Sequence, residues 1–233
     1  DPATTLSKPN TQYEKSLPSI YGLASDTGDG KVANVEVAVS TQSGTYYWYG
    51  SSWVAGAFWL PATADDGAFN SNFEAWRKDS GLPPFTTGLT YEVQVRVTDK
   101  AGRTKLQPIP YQQFTIDTAS PTARVLLPTG ANGINSMPAI SGTAYDNGRN
   151  ESVQAAIQEW GAPQLWYDGA AFSLPNPVWI PVTGANGFLS PDATSWAYTP
   201  AGLDDDFQGG LKYLLLFRST DVAGNLQETL DVD

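Results

Sequence analysis

Ser16-Leu17-Pro18-Ser19-Ile20-Tyr21-Gly22-Leu23-Ala24-Ser25-Asp26 returns 120 residues later as Ser136-Met137-Pro138-Ala139-Ile140-Ser141-Gly142-Thr143-Ala144-Tyr145-Asp146. Two more blocks repeat in step. Phe58-Trp59-Leu60-Pro61-Ala62-Thr63 returns as Val178-Trp179-Ile180-Pro181-Val182-Thr183. Gly88-Leu89-Thr90-Tyr91 through Thr98-Asp99-Lys100-Ala101-Gly102 returns as Gly210-Leu211-Lys212-Tyr213 through Thr220-Asp221-Val222-Ala223-Gly224. The chain is one unit duplicated in tandem. Its period is longer than the repeats of solenoids and propellers, so each copy is expected to fold around its own core. The boundary falls near residue 118, giving a first domain over 1–118 and a second over 119–233. Tandem copies of a module serve reach or avidity more often than a single catalytic pocket.

The quoted blocks also fix the class of structure. Val35, Val37 and Val39 fall on alternate positions, and Tyr91, Val93, Val95 and Val97 alternate more cleanly, with polar residues between them. That period of two is the mark of a strand with one buried face. Tyr213-Leu214-Leu215-Leu216-Phe217-Arg218 is nearly continuous apolar, as in a strand covered on both faces. Phe114-Thr115-Ile116 and Arg124-Val125-Leu126-Leu127 read as short strands on either side of the junction. Gly102 and Gly224 sit where a hairpin turn needs positive φ. Ser152 to Trp160 has some helical spacing but aligns with the Val32 to Val39 strand, so it too reads as strand. No segment has a convincing amphipathic helical pattern. About seven short strands per copy predict an all-β fold, two tandem antiparallel β-sandwiches with tryptophans anchoring the cores.

Composition removes whole classes of chemistry. The chain has no cysteine and no histidine, which excludes thiol nucleophiles, histidine acid–base catalysis and the usual zinc ligands. A net charge of −11 argues against nucleic-acid partners, which need a basic face. No apolar run reaches the length of a membrane-spanning helix, so no membrane insertion is expected. Asp1-Pro2, without an initiator Met, reads as a processed product or an excised fragment. Asp117-Thr118-Ala119-Ser120-Pro121 joins strand to strand without a Gly/Ser spacer, so a restricted hinge is expected.

The Asp-Thr-Ala-Ser-Pro-Thr junction at 117–122, the Ile-Ser-Gly-Thr-Ala-Tyr-Asp block at 140–146 and the Thr-Asp-Val-Ala-Gly-Asn hairpin at 220–225 resemble bacterial Ig-like repeats of large secreted and cell-surface proteins. The aromatic segment Tyr47-Trp48-Tyr49-Gly50-Ser51-Ser52-Trp53, echoed at Trp166-Tyr167-Asp168-Gly169, carries the same resemblance. It implies an Ig-like fold, an extracellular or cell-surface location, and work as a spacer, adhesin shaft or fibre segment beside neighbouring Ig-like domains or subunits. The first copy departs from the pattern, with Tyr-Gly-Leu-Ala for Ser-Gly-Thr-Ala and Arg103 in place of the hairpin asparagine; long insertions also lie around 63–84 and 183–208.

The same resemblance gathers the junction, the loop after the second strand and the last hairpin at one pole. In the second copy this brings together Asp117, Asp146, Asn147, Asp221 and Asn225. Oxygen ligands from several loops suit calcium. In the first copy Asp1, Asp26, Asp29 and Asp99 take those places, but Arg103 adds a positive charge, so weaker binding or none is expected. The bland alternative is that these residues cap turns.

The aromatic segments allow a second function. Trp48, Tyr49, Trp53, Trp166 and Tyr167 are candidates for stacking on a surface glycan or for gripping a partner protein. Alternate members of such a run also point into a core, which is the simpler use. A third function is polymerisation through an exposed edge strand. Asp65-Asp66 and Asp204-Asp205-Asp206 are the only runs resembling a glycosidase pair, and adjacent aspartates more often make a solvated loop. Lys212 could head an isopeptide crosslink, but no partner is legible.

Overall fold

The computed structural model describes residues 1–106, 112–129, 133–161, 163–182 and 195–227, and the backbone of 231–232. Thr183 of the repeated block and residues 184–194 of the 183–208 insertion lie outside the described residues. The chain divides into two compact units, Asp1–Thr118 and Ala119–Asp233.

The first unit holds β1 (Ala3–Lys8), β2 (Tyr13–Glu14), β3 (Ile20–Ser25), β4 (Val32–Thr41), β5 (Tyr46–Trp48), β6 (Trp53–Ala55), β7 (Leu60–Pro61), β8 (Thr63–Ala64), β9 (Phe73–Lys78), β10 (Thr90–Asp99), β11 (Thr104–Leu106) and β12 (Gln112–Ile116). A four-stranded sheet runs β1-β3-β9-β8. The larger sheet runs β2-β12-β10-β4-β5-β6, with β11 on β10 and β7 on β4. The alternation read from the sequence is the register itself: Val93, Val95 and Val97 lie opposite Val39, Val37 and Val35, all fully buried. They pack across the sandwich on Ile20, Ala24 and Trp76 of the small sheet. Burial of these side chains, at about 25 cal/mol per Å², is what holds a two-sheet fold with no disulfide.

The second unit holds β13 (Thr122–Leu127), β14 (Ile140–Tyr145), β15 (Asn150–Trp160), β16 (Trp166–Tyr167), β17 (Phe172–Leu174), β18 (Ile180–Pro181), β19 (Ser195–Tyr198), β20 (Lys212–Asp221) and β21 (Asp231–Val232). Its small sheet is β13-β14-β19, and its larger one is β17-β16-β15-β20-β21 with β18 on β15. Ser152 to Trp160 is strand, as its alignment demanded. β20 buries Leu215, Phe217 and Ser219 on one face, while Leu214, Leu216 and Arg218 on the other are half-buried, so its cover is one-sided. A single helical turn, α1 (Leu203–Asp206), escapes the sequence pattern because four residues carry no period.

The duplicated glycine explains the opening block. Gly22 and Gly142 lie under the indoles of Trp76 and Trp196 and beside the carbonyls of Thr5 and Arg124. A Cβ at either place would overlap those atoms, so only glycine lets the tryptophan close against the strand. Gly102 and Gly224 have φ of 84° and 87°, the left-handed turn that their place in the hairpins requires.

Candidate functional site

Each unit closes its last hairpin with a buried aspartate. In the second unit Asp221 accepts the backbone N–H of Asn225 at 2.7 Å and its side-chain Nδ2 at 2.8 Å. The main chains reciprocate, Asp221 N–H to the Asn225 carbonyl at 3.1 Å. In the first unit Asp99 accepts the Arg103 N–H at 2.8 Å and the Arg103 Nε at 2.7 Å. One backbone design therefore presents two chemistries, a neutral amide or a guanidinium. Burial would raise the Asp99 carboxyl, but the Arg103 backbone bond, side-chain bond and charge outweigh it and hold the group below its usual range. Arg103 Nη1 also lies 3.5 Å from Asp1 Oδ1.

The loops after β3 and β14 face these hairpins. Asp26 is buried, accepts the Thr27 N–H at 2.8 Å, and lies so close over Gly30 that a Cβ there would displace its carboxylate. Asp29 is exposed, in an open cleft with Lys31 and Asn72. In the second unit Asp146 is half-buried and accepts the Gly148 N–H at 2.8 Å. Asp146 and Asp221 each bring a carboxylate oxygen within 4.8 Å of the other. Asn147 is exposed on the same turn. Asp117, in the segment that leads to the second unit, is buried and donates its N–H to the Glu14 carbonyl at 3.0 Å. Several of these carboxylates thus cap turns, and two of them, in the second unit, also converge as a divalent cation would need.

The aromatic candidates separate. Trp48 is buried, with its indole N–H donated to the Gly81 carbonyl at 2.7 Å. Tyr167 is buried and donates its hydroxyl to Asp206 at 2.7 Å. Burial and the Asp206 charge push that phenol well above its usual range. Trp53 is half-buried, stacked on Tyr91 at 5.8 Å and edge-on to Trp48 at 5.4 Å. Trp166 is half-buried, and Tyr49 is 52% exposed. Trp48 and Tyr167 belong to the cores; Tyr49, Trp53 and Trp166 retain surface.

The aspartate run at 204–206 is also more than a solvated loop. Asp204 accepts the Met137 N–H, and Asp206 takes the Tyr167 hydroxyl. Asp65 pairs with Arg77 at 2.7 Å on the surface of the first unit, and that bond lowers its pKa.

A duplicated feature escaped the sequence reading. On the outer face of each larger sheet an arginine lies over an indole, Arg96 over Trp59 at 4.5 Å and Arg218 over Trp179 at 4.1 Å. The signal was present, since both tryptophans and both arginines sit at matching places in repeated blocks. Pairing them requires the β4–β10 and β15–β20 registers, which no local pattern states.

No family model matches the chain, and no curated protein matches it. Solved structures do. Fibronectin(III)-like modules of CbhA from Clostridium thermocellum align over 98% of this chain and 90% of theirs, with 13% identity and a TM-score of 0.44. A 1.5-MDa bacterial ice-binding adhesin aligns over 100% of this chain and 63% of its own, with 15% identity and a TM-score of 0.37. The FN1–FN3 domains of chicken CNTN1 align over 100% and 66%, with 14% identity and a TM-score of 0.28.

Proposed function

We propose that this chain is a non-catalytic structural or adhesive module of an extracellular bacterial surface protein, a tandem spacer or fibre segment. The observation that carries the reading is the duplication of a complete sandwich, each copy with its own core and its own two sheets. A unit that folds alone and repeats in line adds length and load-bearing capacity without needing a shared pocket. Among the described residues no helix is long and apolar enough to cross a membrane.

Calcium binding at the pole of the second unit is part of the proposal. Asp146 and Asp221 supply converging carboxylates, and Asn225 and Asp117 are the further oxygen ligands expected from the sequence pattern. The ion would neutralise like charges held close in the fold and so stabilise it. The first unit places the Arg103 guanidinium against its hairpin carboxylate instead, and is proposed to bind calcium more weakly or not at all.

Thermal unfolding with calcium against chelator, at constant ionic strength, tests this. Binding to the native state alone stabilises by about 2.7 kcal/mol at one hundred times the dissociation constant. The expected outcome is a rise confined to the second unit's transition and lost in Asp221→Asn. No rise at millimolar calcium leaves these aspartates as turn formers and removes calcium from the proposal, without touching the spacer reading.

A further inference from the structure

We propose that the outer face of the second unit's larger sheet is a subsite for a carboxylate-bearing sugar, formed by Arg218, Gln154 and Trp179. The two units differ there by one group. In the first, Arg96 donates from Nε to Glu36 Oε2 at 2.6 Å and from Nη2 to Glu36 Oε1 at 2.9 Å. That two-point bond fills one edge of the guanidinium with a carboxylate from the neighbouring strand. In the second unit the cross-strand position opposite Arg218 is Gln154. Its Oε1 takes the Arg218 Nε at 2.8 Å, a neutral partner in place of a carboxylate, and among the described residues no acid pairs with Arg218.

Two consequences follow from the exchange. Gln154 occupies the Arg218 Nε with its oxygen and keeps its Nε2 as a donor, so that amide and the Arg218 Nη groups are the donors where Glu36 would bring a second oxygen. The guanidinium is also held rather than free: it lies on the Trp179 ring, is half-buried, and is partly stripped of water, which lowers its pKa. A fixed, poorly hydrated cation flanked by a second donor takes a carboxylate through its Nη groups and that amide. The sugar class follows from the surroundings. Trp179 is half-buried and Val178 is 39% exposed, which gives an apolar surface beside the charge. A uronate ring offers both complements at once, a carboxylate for the donors and C–H groups for the apolar surface that Val178 and Trp179 leave beside them. In a chain of net charge −11, an acidic ligand needs such local donors to overcome general repulsion.

The experiment is a heteronuclear NMR titration of the whole chain with an oligogalacturonide, and in parallel with its neutral methyl ester. The acid is expected to give saturable shifts of the Arg218 Nε–H and the Trp179 indole N–H, with neither signal moving for the ester. Gln154→Glu supplies the internal carboxylate and is expected to weaken binding at least tenfold, about 1.4 kcal/mol. Glu36→Gln makes the reverse change and is expected to create the same response at Arg96 and Trp59. Preserved amide dispersion shows that both variants fold. Absence of shifts with the acid, equal shifts with the ester, or full binding by Gln154→Glu would each overturn the proposal. Acetate matching the oligogalacturonide in affinity would overturn the assignment to a sugar. Calcium is left out of the titration, so the result stands apart from the metal reading.

Discussion

The last hairpins of the two units share a backbone and differ at two side chains, Lys100 against Val222 and Arg103 against Asn225, of which the second pairs with the buried aspartate. Asp99 with Arg103 and Asp221 with Asn225 make the same reciprocal turn, and Gly102 and Gly224 adopt nearly the same φ. Duplication preserved what the chain needs in order to turn and left the charge at the turn to vary. The outer faces of the larger sheets repeat the lesson, since Glu36 and Gln154 hold their arginines from the same cross-strand position. Fold and chemistry have therefore separated within one molecule. The first unit pairs its hairpin carboxylate and its sheet-face arginine with opposite charges, and the second pairs both with neutral amides.

The largest expected effects test the shared half of this comparison. Trp76→Ala and Trp196→Ala each remove a buried indole from one core, at a cost of about 3–5 kcal/mol. Two independent cores predict that each variant lowers one calorimetric transition and leaves the other in place. A single transition moving equally in both variants would show the units to be one cooperative body. Gly22→Ala and Gly142→Ala are expected to do comparable damage, because the added methyl collides with both a strand carbonyl and the indole.

Much of this shared half was legible in the sequence. The valine alternation in β4 and β10 states which face is buried, and the duplicated glycine and hairpin state where strands meet. The aromatic segments were not legible in the same way. Trp48 and Tyr49 are neighbours, yet one donates to Gly81 inside the fold and the other is half in solvent. Composition cannot separate them; Trp48 ends β5, and Tyr49 opens the turn that follows. The aspartates at 204–206 read as surface charge because their partners, Met137 and Tyr167, are about 40 to 70 residues away in sequence.

A smaller effect tests the divergent half. Exchanging the hairpin side chains, Arg103→Asn in one variant and Asn225→Arg in another, leaves the backbone turn able to form. Asn225→Arg is expected to abolish the calcium-dependent rise of the second unit's melting temperature. Arg103→Asn is expected to let the first unit acquire one, read by the same calorimetry. If both variants respond to calcium as the parent does, the hairpin residue does not decide which pole takes the ion.

The smallest effect is a pH dependence, and its sign follows from the direction of the Asp99 shift. Its carboxyl titrates below the ordinary 3.8 because, against the cost of burial, the Arg103 backbone and guanidinium favour the charged form. A depressed folded pKa means that the unfolded chain takes up the proton first. The stabilisation is therefore complete above the unfolded value and is lost as pH falls through the folded one. Glu74 behaves alike, since hydrogen bonds from Ser71 and Asn70 overcome its burial and hold it below its ordinary 4.5. The first unit's melting temperature should then be flat near neutrality and begin to fall below about pH 4.5. Arg103→Asn should make that fall shallower, because it removes the guanidinium's share of the shift while leaving the backbone bond in place. An unchanged slope would mean that the backbone turn, common to both units, already sets the titration, and that the guanidinium adds charge compensation without adding acid sensitivity.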